Sequence, residues 1–194
     1  MRNSVKFALI AVTLAICTFS ASAKKAEKEP LDPKFTSIQN ISVLPVMDVR
    51  PGDKAKVNLQ GLQKSVVNAL KHKRYSASES DTMGTNTQID VEDLESADPG
   101  VIKKLGQTSD RWVMIVLLGD VHSKVTFGST GNAEVSGYLF DKQDGSLVWK
   151  GKGTGTAGQG GLMGMAMKGM MNGAALDSAV NALFATLPNL PKSK

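Results

Sequence analysis

Ala133-Glu134-Val135-Ser136-Gly137-Tyr138-Leu139-Phe140-Asp141-Lys142-Gln143-Asp144-Gly145-Ser146-Leu147-Val148-Trp149-Lys150 is the stretch that decides the fold. Ala133, Val135, Gly137 and Leu139 alternate with Glu134, Ser136, Tyr138 and Phe140, which is the period of a strand with one face more buried than the other. Asp141 to Gly145 is a tight turn ending in Asp-Gly, a favoured hairpin dipeptide, so Asp141 and Asp144 read as turn residues. Ser146 to Lys150 returns with Leu147 and Trp149 on one face. Upstream, Trp112 to Leu118 is an unbroken apolar run, the pattern of a central strand covered on both sides. Val121 to Thr130, between the two, admits a further strand or a mobile loop.

Toward the N-terminus, Ile41 to Val46 is a short β-branched run that Pro45 closes. Pro51-Gly52-Asp53 marks a turn. Leu59, Leu62, Val66 and Leu70 recur at helical spacing, predicting a helix over 56–72 that ends in Lys71, His72, Lys73 and Arg74, cations that oppose its dipole. Tyr75-Ser76-Ala77 is a second, weaker strand, and residues 79–90 are a polar loop. Val91, Leu94, Val101, Ile102 and Leu105 suggest one or two short helices broken at Pro99-Gly100. Leu176, Val180, Leu183, Phe184 and Leu187 form a last apolar stripe, stopped by Pro188. The expected class is α/β (α+β): a small mixed sheet of about five strands with helices packed on it, in the order β-α-β-α-β-β-β-α. Leu62, Val66, Val113, Ile115, Val135, Leu139, Trp149, Leu183 and Phe184 are the expected core.

The most biased composition lies at 151–175. Gly153-Thr154-Gly155-Thr156-Ala157-Gly158 matches G-x-G-x-x-G, but only one helix follows, whereas a dinucleotide site opens a βαβ unit. Met163, Met165, Met167, Met170 and Met171 offer soft thioethers that suit Cu(I), although clustered methionine also serves as adaptable packing. Gly160-x-x-x-Gly164 and Gly169-x-x-x-Gly173 would put small residues on a helix face, with Leu162, Met163, Met167 and Met170 beside them, for contact with a second chain or a membrane surface. The bland alternative is a flexible glycine loop leading into a helix that covers the sheet.

The first 23 residues run from a basic start (Arg2, Lys6) through an apolar stretch to Ala21-Ser22-Ala23, the pattern of a cleaved secretory signal. The apolar stretch is shorter than the ~20 residues of a spanning helix. Cleavage after Ala23 would remove the one cysteine, Cys17, and leave a flexible leader over 24–36 and one domain over 37–192. Lipid on Cys17 is disfavoured by bulky Ile16 before it. The formal net charge falls from +5 to about +3 once Arg2 and Lys6 leave. Basic residues are scattered and aromatics few, so nucleic acid is not an expected partner, and neither is a nucleotide. H-E-x-x-H, G-x-S-x-G and P-loop patterns are absent from the sequence. Asp110 ends the loop before the central strand, and Asp120 with His122 could pair on one strand face, but no third partner is evident. No catalytic residue, resident metal or cofactor is expected.

Taken with Ser109-Asp110, the Trp112–Leu118 strand and the terminal Leu187-Pro188, the hairpin pattern Asp141-x-x-x-Gly145-x-x-x-Trp149 resembles the small α/β domain of bacterial envelope proteins of the curli-assembly (CsgG) and TolB N-terminal type, over about residues 37–190. It is also similar to outer-membrane lipoproteins with that hairpin. The resemblance implies a periplasmic, often outer-membrane-associated, non-enzymatic domain that assembles with itself or with other envelope proteins. It carries over no catalytic residues. The lipid-attachment pattern of such proteins is poor here, and no pair of long amphipathic hairpins is read.

Overall fold

The computed structural model describes residues 33–52, 56–85, 89–126, 128–160 and 168–191. All belong to the unit Leu31–Lys194. The expected signal segment 1–23, with Cys17, and most of the leader lie outside the described residues. Pro33–Thr36 forms a four-residue helix, α1, inside the span read as leader. Phe35 of α1 packs on the core.

The chain is a mixed α/β fold. Six strands make one open sheet: β1 (Ile41–Val43), β2 (Met47–Asp48), β3 (Ala77–Glu79), β4 (Trp112–Thr126), β5 (Gly128–Asp141) and β6 (Ser146–Gly160). Their order is β3-β1-β4-β5-β6, with β2 also paired to β4. β1 pairs with β3 and β4 in parallel, whereas β4, β5 and β6 form an antiparallel meander. Residues 121–126 and 128–130 are therefore strand, and β4 and β5 are each about twice the length that apolar runs alone mark out. Lys142 to Gly145 turn β5 into β6: Asp141 accepts from the Gly145 and Gln143 N–H groups through its backbone and side-chain oxygens, and Asp144 Oδ1 accepts from Ser146 N–H. Gly145 sits at φ +78°, a conformation that L side chains rarely adopt.

Helix α2 (Leu59–His72) starts at Asn58, whose Oδ1 accepts from the Gly61 N–H at 2.9 Å. It buries Leu62, Val66, Val67 and Leu70 against one face of the sheet. Gln63 is buried with them and donates from Nε2 to Val43 O (2.8 Å) and Ser80 O (2.9 Å), capping the carbonyl ends of β1 and β3. Helices α3 (Val91–Ser96) and α4 (Pro99–Ile102) cover the other face. Pro99 and Gly100 open α4 rather than break a helix; Asp98 caps it, accepting from Gly100 N–H at 2.7 Å. Trp112, Met114, Val116 and Leu118 face α2, while Val113, Ile115 and Leu117 face α3 and α4, so the central strand is dry on both sides as its apolar run demands. All nine expected core residues are buried.

Helix α5 (Lys168–Leu183), continued by a 3-10 turn at Phe184–Thr186, begins eight residues earlier than its Leu176 stripe suggests. It lies across β5 and β6 on the α2 side. Residues 151–160, read as a loop in the bland alternative, are strand paired with β5 throughout. Their glycines receive the helix backbone. A Cβ on Gly155 would stand 2.0 Å from Ala175 O, one on Gly153 2.0 Å from Ala179 O, and one on Gly151 2.9 Å from Leu183 O. The spacing explains the match. Two strand residues advance ~6.8 Å and four helix residues ~6.0 Å, so glycine at every second strand position meets every fourth helix position. Trp149 closes the row, stacked on Phe184 at 5.6 Å with its Nε1–H donating to Thr186 Oγ1.

The C-terminal segment is tied back to α2. Tyr75 is buried and donates from its hydroxyl to Pro188 O (2.9 Å); Lys73 Nζ donates to Leu187 O (2.9 Å).

Two predictions follow from this packing. Gly153→Val and Gly155→Val each drive a side chain into helix backbone that cannot rotate away; each should lower unfolding free energy by about 3 kcal/mol or more in denaturant melts. Burial pushes the Tyr75 phenol up to about 12, above its ordinary value near 10. The unfolded chain then loses that proton first. Stability contributed by the neutral phenol is complete below pH 10 and is lost as pH rises toward 12. Tyr75→Phe should flatten the stability profile between pH 10 and 12, read by urea midpoints at each pH.

Candidate interaction surface

Beyond Leu118 the meander outruns α3 and α4, and its two faces part company. One face carries α5. The other is polar, with Asp120, His122, Lys124, Thr130, Lys152, Thr154 and Thr156 exposed. Asp120 and His122 do share a side of β4: His122 Nδ1 lies 2.7 Å from Asp120 Oδ2, and Nε2 lies 3.3 Å from Asn132 Nδ2. Both are about half exposed, and Glu134 pairs with Lys152 (2.8 Å) beside them. These are solvated pairs of small energetic weight. Asp110 accepts from Gln107 N–H, and Asp141, besides its turn role, holds Arg111 through both carboxylate oxygens. Among the described residues, no group of three or more His, Cys, Asp or Glu side chains gathers to hold a metal.

The weak G-x-G-x-x-G match has no phosphate-binding setting among the described residues. Gly153 and Gly155 lie mid-strand against α5, far from any helix start, so no N-terminal amide cradle forms there. Gly160 is the last residue of β6, opposite Gly128, and so lies in a strand rather than a helix. Gly169 and Gly173 do lie one turn apart on α5. Leu162, Met163, Gly164, Met165 and Met167 lie outside the described residues.

Within the first turns of α5 the methionines divide. Met171 is buried, and its backbone oxygen would meet a Cβ on Gly131 at 2.6 Å. Met170 is 64% exposed, the most exposed large apolar side chain among the described residues. Of the proposed Cu(I) ligands, the two that are described thus look in different directions. A Cβ on Gly173 would meet nothing within 4 Å. That open position borders a groove of about 350 Å³ between α2 and α5, walled by Val57, Leu62, Asn172, Leu176 and Asp177. Ser65 Oγ donates to Asp177 Oδ1 across it (3.2 Å), and Asn172 Oδ1 is buried with no hydrogen-bond partner among the described residues. Val125, another exposed apolar side chain, stands two residues beyond Ser123, the partner of Gly131, and so at the same end of the sheet. No helix among the described residues is long and apolar enough to cross a membrane.

The sequence marks the segment as exceptional, but the role of Gly151, Gly153 and Gly155 as the seat of α5 was missed. The signal was present: glycine at 151, 153 and 155 alternates with Lys152, Thr154 and Thr156, a period of two, and Ala175 and Ala179 answer at a period of four.

No family model matches this chain, and no curated protein matches it. Among solved structures it is similar to lipoprotein GNA1162 from Neisseria meningitidis (17% identity, 67% of this chain and 92% of that one, TM-score 0.47). It is also similar to the PelC dodecamer from Paraburkholderia phytofirmans (14%, 79% and 89%, TM-score 0.48). A third likeness is to the LpoB C-terminal domain from Salmonella enterica (14%, 61% and 84%, TM-score 0.35). At these identities and scores the likenesses transfer no residue, partner or activity. The link to the CsgG and TolB type rests on the sequence motif alone.

Because Gly173 is helical and its Cβ position is open, Gly173→Ala should stabilise the fold by about 0.5–1 kcal/mol through helix propensity. Thermal melts of the two proteins check this.

Proposed function

We propose that this protein is an exported, non-enzymatic envelope protein, an assembly module that binds copies of itself or other envelope proteins at the end of the sheet where α5 begins. The observation that carries the reading is Met170, held 64% exposed on the first turn of α5, one turn before the open Gly173. With exposed Val125 at the same end of the sheet, Met170 offers apolar surface that gains from burial on a partner. The apolar, glycine-rich 161–167 leads directly into that turn. The secretory pattern of residues 1–23 and the hairpin resemblance to envelope assembly domains support periplasmic placement, with outer-membrane association as the finer expectation. A membrane surface is the competing occupant of the same patch.

Gly173→Leu fills the open position, and Met170→Ser removes the exposed apolar side chain; neither disturbs the α5–glycine contact. The double variant should lower the light-scattering mass of the assembly, or shift the protein from the membrane pellet to the soluble fraction if the patch meets lipid. Mass and sedimentation both unchanged in a variant with an unaltered melting curve would sink the reading.

A further inference from the structure

A second feature lies at the other end of the long strands, ~35 Å from the start of α5 by strand rise. There the turn after α4, the loop before β4 and the β5–β6 turn enclose a cleft of about 550 Å³. Its walls carry Lys103, Lys104, Arg111 and Lys142, with Asp110 as the carboxylate among them. Lys142 is the unusual member. It is only 8% exposed, yet among the described residues no carboxylate lies within ion-pair distance of it. Its Nζ donates to Gln107 O (2.7 Å), which engages one of three N–H donors. Asp110, the nearby carboxylate, is already held by the Gln107 N–H at 2.8 Å. Buried cations in proteins are ordinarily paired, because removing an ammonium from water is costly. Burial accordingly pulls the Lys142 pKa below its ordinary value.

Arg111 is fixed rather than mobile. Asp141 holds its Nε and Nη2 at 2.9–3.2 Å, and its guanidinium carbon sits 4.7 Å over the Trp112 ring. Half of its side chain still faces solvent. Lys103 and Lys104, both exposed, line the same cleft. Hydroxyls of Thr108 and Ser109 complete the wall.

We propose that this cleft binds a phosphate group, with Lys142 as the buried contact, Arg111 as the fixed one and Lys103 and Lys104 as the closing pair. Asp141 already answers Arg111, so the charge left at the cleft is that of Lys103, Lys104 and Lys142, with Asp110 as the carboxylate beside them. A phosphate brings close to two negative charges and three strong acceptor oxygens, which suits several ammonium donors arriving from different elements. The cleft has room for a second phosphate or an organic body beside the first. A soluble phosphate ester offers this charge in full, and a phospholipid headgroup, a diester, offers phosphate oxygens with a single negative charge.

The test is calorimetric titration of the full chain with inorganic pyrophosphate at about 100 mM salt, alongside flotation with phosphatidylglycerol and phosphatidylcholine vesicles. Lys142→Met keeps the aliphatic stem and removes the charge. Lys103→Ala/Lys104→Ala alters only exposed positions and serves where Lys142→Met fails to fold. Pyrophosphate binding weakened tenfold or more by either variant supports a soluble phosphate ligand. Flotation with phosphatidylglycerol alone, lost in the variants, supports a headgroup. Wild type that binds neither probe, or variants that bind both as wild type does, overturns the proposal.

Discussion

The contact between α5 and the glycine row of β6 is what the rest of the molecule depends on. Backbone meets backbone there, since any Cβ at Gly153 or Gly155 would fall 2.0 Å from a helix carbonyl oxygen. Close approach lets Ala175, Ala179 and Leu183 seal the far half of a sheet whose other face is wet. Without it, the outer parts of β5 and β6 would present a polar face on one side and bare backbone on the other, with little apolar burial to offset the entropy of ordering them. The contact also sets where α5 starts. Because Met171 is docked at Gly131, the residue before it is carried on a well-anchored turn, and its exposure is a property of the fold rather than of a loose end.

Much of this architecture was legible in the chain, for identifiable reasons. The Trp112–Leu118 run, the alternation over 133–140 and the Asp141–Gly145 turn are local patterns with one physical solution each, and their strands, turn and core residues follow. The α2 stripe is equally local, although Asn58 starts the helix three residues later than the span read from that stripe. What escaped was non-local. Glycine has low strand propensity, so 151–160 reads as loop until β5 is present to pair with it. The first turns of α5 carry glycine and methionine in place of a clean apolar stripe, because the surface they cover is itself side-chain-free.

The candidate site was legible only in part. The chain marked 151–175 as exceptional, and Met170 and Gly173 do stand open. It could not tell that Gly151, Gly153 and Gly155 are spent internally. Gln63 and Lys142 were also invisible, since nothing in their neighbours predicts burial of a polar side chain; each is placed by elements more than a dozen residues away.

The glycine row has an evolutionary consequence. Every change at Gly151, Gly153 or Gly155 adds at least a Cβ, so even the mildest replacement collides with the helix or, at Gly151, with Trp149 as well. Lys152, Thr154 and Thr156 point to solvent and can vary. Neutral drift along β6 is thus confined to alternate codons. Residues on the solvent side can be exchanged over long times to fit new surroundings, while the side that carries the helix stays frozen, so the strand can change its outward chemistry without renegotiating the fold.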